Sequence, residues 1–314
     1  MRCIVIDWGS SNFRAHLVDD GGHVVCTRSD DCGVLNCGKN YQALLLERCG
    51  DWLQRWPQVP LYLCGMIGSR NGWREAPYAP CPANAAAIAQ QLLPLGELPN
   101  AWVVPGVSCM SPGGAPDVMR GEESQVLGAL QLRSRESAVL LLPGTHSKWV
   151  RVENGRIIDF ATFFTGELFA LLHRHSSIGS VLGDADSDPH SFIEGLRHSR
   201  RAGGPLHQMF AARALALCEP DSGLAMSAFL SGLLVGNELA EALTMFPAAD
   251  EILLLGSEKL QNLYRLAADE FGIGLNAVDP SLAVVKGVTA ICDAQQQTLQ
   301  YQSSEENDRA ANQS

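Results

Sequence analysis

Three short turns carry residue types that can handle phosphate. In IDWGSSNFR, Asp7 closes an apolar run and is followed by Gly9, Ser10, Ser11 and Asn12. Small residues let a backbone approach a phosphate closely, and serine hydroxyls and peptide N–H groups can donate to it. A carboxylate at such a strand end can hold hydrated Mg²⁺ by accepting from its waters. In LLLPGTHSKWV, Gly144 and Thr145 again end an apolar run, with donors at Thr145, His146, Ser147 and Lys148. In EILLLGSEKL, Gly256 and Ser257 lie between an apolar run and a helix start, where a nucleoside can lie against backbone. Each turn has a plainer reading when taken alone. The first is also an ordinary hairpin turn, the second a turn with a solvated lysine, and the third a strand–helix junction with Ser257 as N-cap. Neither GxxxxGK[ST] nor GxGxxG occurs in the chain, so the usual phosphate-loop fingerprints are absent.

These turns need buried strands to hold them. CIVIDWG, FRAHLVDD and HVVCTR read as a β-meander turning at Asp20, Gly21 and Gly22, and residues 41–56 have helical periodicity. PLYLCGMIG and AWVVPGV read as strands, and ANAAAIAQQLL and GEESQVLGALQL as helices. From Ala138 the pattern restarts. AVLLLPGTHSKWVRV and RIIDFATFF form a strand and hairpin around Asn154-Gly155. Residues 167–247 read as mostly helical with a polar interruption at 183–205. EILLLGS, KLQNLYRLAADEF, GLNAV and AVVKGVTAICDA then read as strand, helix, strand, helix, and a polar tail begins near Gln295. Met and aromatic residues in FLSGLLVGNEL read as core, with Gly232 and Gly236 permitting close helix packing. A strand ending in a small-residue turn and continuing as a hairpin thus occurs twice; two related lobes facing one cleft would produce this echo, and on this observation alone so would two unrelated hairpins.

The 314 residues suffice for two lobes, with 46% hydrophobic and 18% charged residues. A net charge of −11 argues against a nucleic-acid or anionic-membrane partner, since either needs a basic face. No apolar run reaches the roughly 18 residues of a spanning helix, and the start lacks the long apolar core of a signal peptide. The expected location is therefore the cytoplasm. The ten cysteines form no CxxC pair and no zinc-spaced cluster, which points to reduced thiols.

Taken in order, the three turns resemble the first phosphate, second phosphate and adenosine motifs of the actin/hexokinase/Hsp70 superfamily. AVVKGVTAI, with Gly287, is similar to its second connecting segment. The strings CGMIGSRNGWREAPY and VMRGEESQVLGA, with IDWGSSNFR, LLPGTHSKWV, FFTGELFALL and FLSGLLVGNEL, resemble more specifically the 2-dehydro-3-deoxygalactonokinase family. The resemblance implies an α/β, two-lobed actin/hexokinase-like (ribonuclease H-like) fold with an ATP cleft between the lobes. The implied division is residues 1–137 and 138–282 as lobes, 283–296 as a returning helix and 297–314 as a tail. It implies ATP-dependent phosphorylation of the terminal hydroxyl of 2-dehydro-3-deoxy-D-galactonate, with ATP and Mg²⁺ as cofactors; the alternatives are a kinase of another keto-deoxy sugar acid or sugar, and a non-kinase nucleotide switch of the same fold. A homo-oligomer is compatible with the chain.

On this resemblance, Gly9, Ser10, Ser11, Asn12, Gly144, Thr145, His146, Lys148, Gly256 and Ser257 would contact ATP, and Asp7 would hold Mg²⁺ through water. A 2-keto acid needs a carboxylate partner, and arginine offers bidentate geometry. The loop after Gly65 carries Ser69, Arg70, Asn71, Trp73 and Arg74, with Arg70 the first choice as anchor and Arg120 the second. Related sugar kinases carry a carboxylate at a point that falls on Gly121 here. Glu122, one residue on, is the expected general base, with Glu123 the alternative and Glu167 a candidate for the substrate's hydroxyls. The plainer reading of the two acids is that they favour a helix N-terminus.

Overall fold

The computed structural model describes residues 1–182, 188–219, 223–247 and 251–311, with side chains described through Tyr301. The first lobe opens with β1 (Cys3–Trp8), β2 (Phe13–Val18) and β3 (Val24–Asp30), then α1 (Tyr41–Arg55), β4 (Leu61–Cys64), β5 (Tyr78–Pro80) and α2 (Ala85–Ala89). It continues through β6 (Leu93–Pro94), β7 (Ala101–Val103), β8 (Gly106–Met110), β9 (Pro116–Met119) and α3 (Glu122–Arg133). The second lobe has β10 (Ala138–Leu142), β11 (Ser147–Glu153), β12 (Arg156–Phe163), α4 (Thr165–His175), α5 (Pro189–Ser199), α6 (Gly204–Cys218) and α7 (Met226–Met245). It ends with β13 (Ile252–Leu255), α8 (Glu258–Phe271), β14 (Leu275–Val278) and α9 (Pro280–Ala311).

The two main sheets repeat one plan. The first runs β3-β2-β1-β4-β7-β6 and the second β12-β11-β10-β13-β14. In each, the opening strand pairs antiparallel with its hairpin partner and parallel with the next strand inward, as β1 with β2 and β4, and β10 with β11 and β13. The two-lobed α/β expectation is met. Side chains alternate across β1, as the two-residue period of a strand requires. Ile4, Ile6 and Trp8 pack with Tyr41, Leu45 and Trp52 of α1. Cys3 and Val5 join a cluster that also takes Val126 of α3, Val288 of α9 and Leu140 of β10, so α3 and α9 are shared by both sheets.

α3 and α9 cross with their backbones in contact. A Cβ on Gly128 would lie 1.8 Å from the Ala283 carbonyl oxygen, and one on Gly287 1.8 Å from that of Ser124. Only glycine fits at either place, and the crossing fixes where α3 begins. Gly232 acts likewise between α5 and α7, where a Cβ would meet Phe192 O at 1.9 Å. The packing role expected of it holds.

Four expectations need correction. Helix α5 lies inside the stretch read as a polar interruption. Asp188 caps it by accepting from Ser191 N–H, Pro189 starts it, and Phe192 and Leu196 are buried; residues 183–187 lie outside the described residues. The cap-plus-proline start outweighed the polar look of the segment. AWVVPGV breaks at Pro105, because proline cannot donate to a ladder. Its second half becomes β8, which joins β5 and β9 in a third sheet. α2 stops at Ala89, far short of its apolar run. α9 runs on to Ala311, well into the expected polar tail. Gln, Glu and Ala are adequate helix formers. No helix among the described residues is long and apolar enough to cross a membrane.

Candidate active site

The cleft between the lobes is open to solvent, with a volume of about 420 Å³. All three turns reach it. Asp7, Gly9 and Ser10 come from the first, Gly144, Thr145 and His146 from the second, and Gly256 and Ser257 from the third. Gly65, Arg120 and Glu122 line it from the first lobe. Ser11 and Asn12 are exposed beside the first turn but do not line the cavity.

The first turn is braced from behind. Val34 N–H donates to Gly9 O at 3.0 Å and Leu35 N–H to Ser10 O at 3.0 Å. A Cβ on Gly33 would collide with Ser10 O at 2.3 Å, so residue 33 must be small for the brace to close. The Asp7 carboxylate lies 3.8 Å from the Arg14 guanidinium. Burial pushes its pKa up, Arg14 pulls it down, and the nearby Glu122 adds to the rise.

α3 starts at a glycine pair. Gly121 has φ 102°, and a Cβ there would lie 3.1 Å from Gly65 Cα. A carboxylate residue at 121 would be strained by that φ and pressed against Gly65, and the first acid falls on Glu122. Its Oε2 accepts from Arg120 N–H at 3.0 Å, and its Oε1 lies 3.3 Å from Lys148 Nζ of the opposite lobe. Lys148 is buried and also donates to His146 O at 3.1 Å, although it lies behind the cavity wall. Glu123 points the other way, fully buried. It accepts from Gly121 N–H at 2.7 Å and Ser124 Oγ at 3.2 Å, and burial, aided by Glu122, pushes its pKa up to about 8.

The arginines sort differently from the order expected. Arg70 is 86% exposed and faces Glu75 at 3.8 Å, outside the cavity, and Arg74 pairs with Glu97. Arg120 is buried, with its guanidinium 4.3 Å from the Tyr78 ring centroid and Nη2 donating to Ala76 O at 2.7 Å. Its Nε and Nη1 have no hydrogen-bond partner, and neither does the buried Ser69 Oγ. Trp73 stacks on Tyr41 rather than facing the cleft. Glu167 does not line the cavity either, but its carboxylate bonds His146 Nε2, and its N–H donates to Thr145 O at 2.9 Å.

Residues 7–291 match the 2-keto-3-deoxy-galactonokinase family. The chain belongs to that family. An Escherichia coli (strain K12) relative named 2-dehydro-3-deoxygalactonokinase is 37% identical over 294 residues, spanning 93% of this chain and 98% of the relative. A Sinorhizobium meliloti crystal structure bearing the same activity name superposes with a TM-score of 0.82 at 32% identity, covering 93% of this chain and 98% of that one. The activator of the 2-hydroxyisocaproyl-CoA dehydratase from Clostridium difficile, solved with ADPNP, has a TM-score of 0.53 at 11% identity over 97% of this chain and 98% of that one. That likeness shows the fold alone.

Sequence reasoning gave no role to Arg14 or Gln125, both of which line the cleft. Arg14 stands at the end of the quoted first motif. The register Asp7↔Arg14 across β1 and β2 brings it to the turn, which a hairpin reading could have found. Nothing in the sequence marks Gln125, one helical turn beyond Gly121.

Proposed function

We propose that the protein transfers the γ-phosphoryl group of ATP to the terminal hydroxyl of 2-dehydro-3-deoxy-D-galactonate, giving the 6-phosphate and ADP, in the cytoplasm. The observation that carries this is the meeting of both phosphate turns, the third turn and Glu122 in one interlobe cleft. The phosphates lie between the turns at Gly9–Asn12 and Gly144–His146, with the nucleoside toward Gly256 and Ser257. The substrate hydroxyl attacks the γ-phosphorus in line, its O–P bond forms as the bond to the ADP oxygen breaks, and Glu122 accepts the hydroxyl proton. Lys148 and Arg14 supply positive charge beside the transferring group. Most of the acceleration comes from positioning and charge stabilisation rather than covalent chemistry.

Asp7 suits a hydrated Mg²⁺. Its carboxylate is partly desolvated and faces a second acid, an arrangement a cation relieves. No group of three or more His, Cys, Asp or Glu among the described residues could hold a metal alone, so Asp7, water and the nucleotide's own phosphates would share it. Bound there, the ion neutralises charge on the phosphate oxygens.

Arg120 is the better anchor for the substrate carboxylate. It lines the cleft, and two of its buried nitrogens lack acceptors, whereas Arg70 is solvated. Glu167 would act on the sugar's hydroxyls through His146, which it bonds and which lines the cleft. An ATP-dependent phosphorylation screen over 2-keto-3-deoxy acids and the matching neutral sugars tests the reading. Turnover of the galactonate derivative, with neutral sugars inert, is expected. ATP hydrolysis without phosphate on any acceptor would contradict it.

A further inference from the structure

Glu238 sits in the middle of α7, an apolar helix, and is buried. Its Oε1 accepts from Trp149 Nε1 at 3.0 Å, and its Oε2 accepts from Tyr264 Oη at 2.7 Å and from Thr165 Oγ1. Tyr264 Oη also meets Ser147 Oγ at 3.2 Å. A buried carboxylate is a poor choice for stability alone, because an apolar side chain of similar volume avoids the desolvation cost. What it offers instead is several acceptor directions at one point.

The donors come from three elements that adjoin or pack on the second and third turns, which line the cleft. Ser147 and Trp149 open β11, directly after the second phosphate turn. Thr165 is the first residue of α4, and the next two residues close on that turn. A Cβ on Gly166 would collide with Gly144 O at 2.3 Å, and Glu167 holds both Thr145 O and His146. Tyr264 lies on α8, whose N-cap is Ser257 of the third turn.

We infer that Glu238 is a positioning residue for phosphoryl transfer, fixing β11, α4 and α8 in the one arrangement that brings the second and third turns together on the nucleotide. It touches no reacting atom and acts through Thr165 and Tyr264. The inference rests on the kinase reading above and goes beyond it by dividing the effect between two sites. The Thr165 arm sets the second turn and the His146–Glu167 pair, so it governs turnover. The Tyr264 arm sets α8, so it governs nucleotide affinity.

The test is a set of single variants compared by thermal melting, steady-state kinetics and ADP binding by calorimetry. Losing one buried hydrogen bond of about 1.4 kcal/mol corresponds to about ten-fold. Thr165→Val should lower kcat about ten-fold with KM for ATP nearly unchanged. Tyr264→Phe should weaken ADP binding and raise KM for ATP by a similar factor with kcat nearly unchanged. Glu238→Gln should stay close to wild type, since its amide oxygen can accept from Trp149 while its NH₂ donates to the two hydroxyls, and Glu238→Leu should lose both functions. A merely structural role would lower the melting temperature and scale all parameters with the folded fraction, with no split between kcat and KM. Folded Thr165→Val and Tyr264→Phe proteins with wild-type constants would overturn the inference, and so would a Gln variant as impaired as the Leu one. If Glu238→Leu fails to fold, the two hydroxyl variants still decide. A wild-type protein that binds ADP but phosphorylates no acceptor would sink the kinase reading instead, and the calorimetric comparison of Tyr264→Phe with wild type would still judge the positioning role.

Discussion

The turn after β1 and the turn after β10 are built alike and charged differently. Each follows the central strand of a sheet with the same strand plan, and each continues into an antiparallel hairpin. In the first lobe the register sets Asp7 opposite Arg14; in the second it sets Leu142 opposite Lys148. The first lobe brings both carboxylates of the cleft, Asp7 and Glu122, together with Arg14 and Arg120. The second brings no acid, only hydroxyl and imidazole groups at Thr145 and His146, with the Lys148 ammonium behind the wall. One repeated scaffold thus carries the two halves of the proposed phosphoryl-transfer site, and the Glu122–Lys148 pair at 3.3 Å joins them.

The largest effect expected from breaking this division is at Asp7. Asp7→Asn keeps the size of the side chain and removes the charge that suits Mg²⁺, so kcat should fall by orders of magnitude in a protein that still folds. Near-normal turnover of a folded variant would show that the first turn needs no acid, as the second has none. A smaller effect is expected at the substrate end. Arg120→Ala should raise KM for the sugar acid about ten- to a hundred-fold and leave KM for ATP nearly constant. Arg70→Ala should change neither. A reversed pattern would return the anchor to the exposed loop.

The smallest effect separates the two acids of α3 by stability. Glu123 keeps its proton in the folded chain up to about pH 8, while unfolded glutamate releases it near 4.3. The folded state therefore binds more protons between these values, and stability falls as pH rises through that window. Wild-type urea midpoints should drop from pH 5 to pH 9, and those of Glu123→Gln should drop less. Parallel curves would mean that Glu123 ionises as freely in the folded state as in the unfolded chain.

The three turns were legible because glycine and small hydroxyl residues at the ends of apolar runs have few other uses in such density. The doubled strand plan was legible for the same reason. The placing of the arginines was not, since sequence cannot tell that Arg120 is buried against Tyr78 while Arg70 is solvated. Helix α5 was obscured by a polar surface face, although Asp188-Pro189 marked its start. Glu238 was hidden inside an apolar helix, and the sequence assigned it no role. Its partners lie 26 to 89 residues away in the chain, so only the folded structure brings them together.

The central claim is that the acid presented by the first lobe to the second lobe's turn takes the proton from the attacking hydroxyl. The most direct measurement is kcat for sugar-acid phosphorylation by Glu122→Gln beside Glu123→Gln. A general base contributes about 10²–10⁴ in rate. Glu122→Gln should lose that much with both KM values near normal, and Glu123→Gln should turn over almost as wild type. Full activity in Glu122→Gln, or a loss confined to Glu123→Gln, would contradict the account.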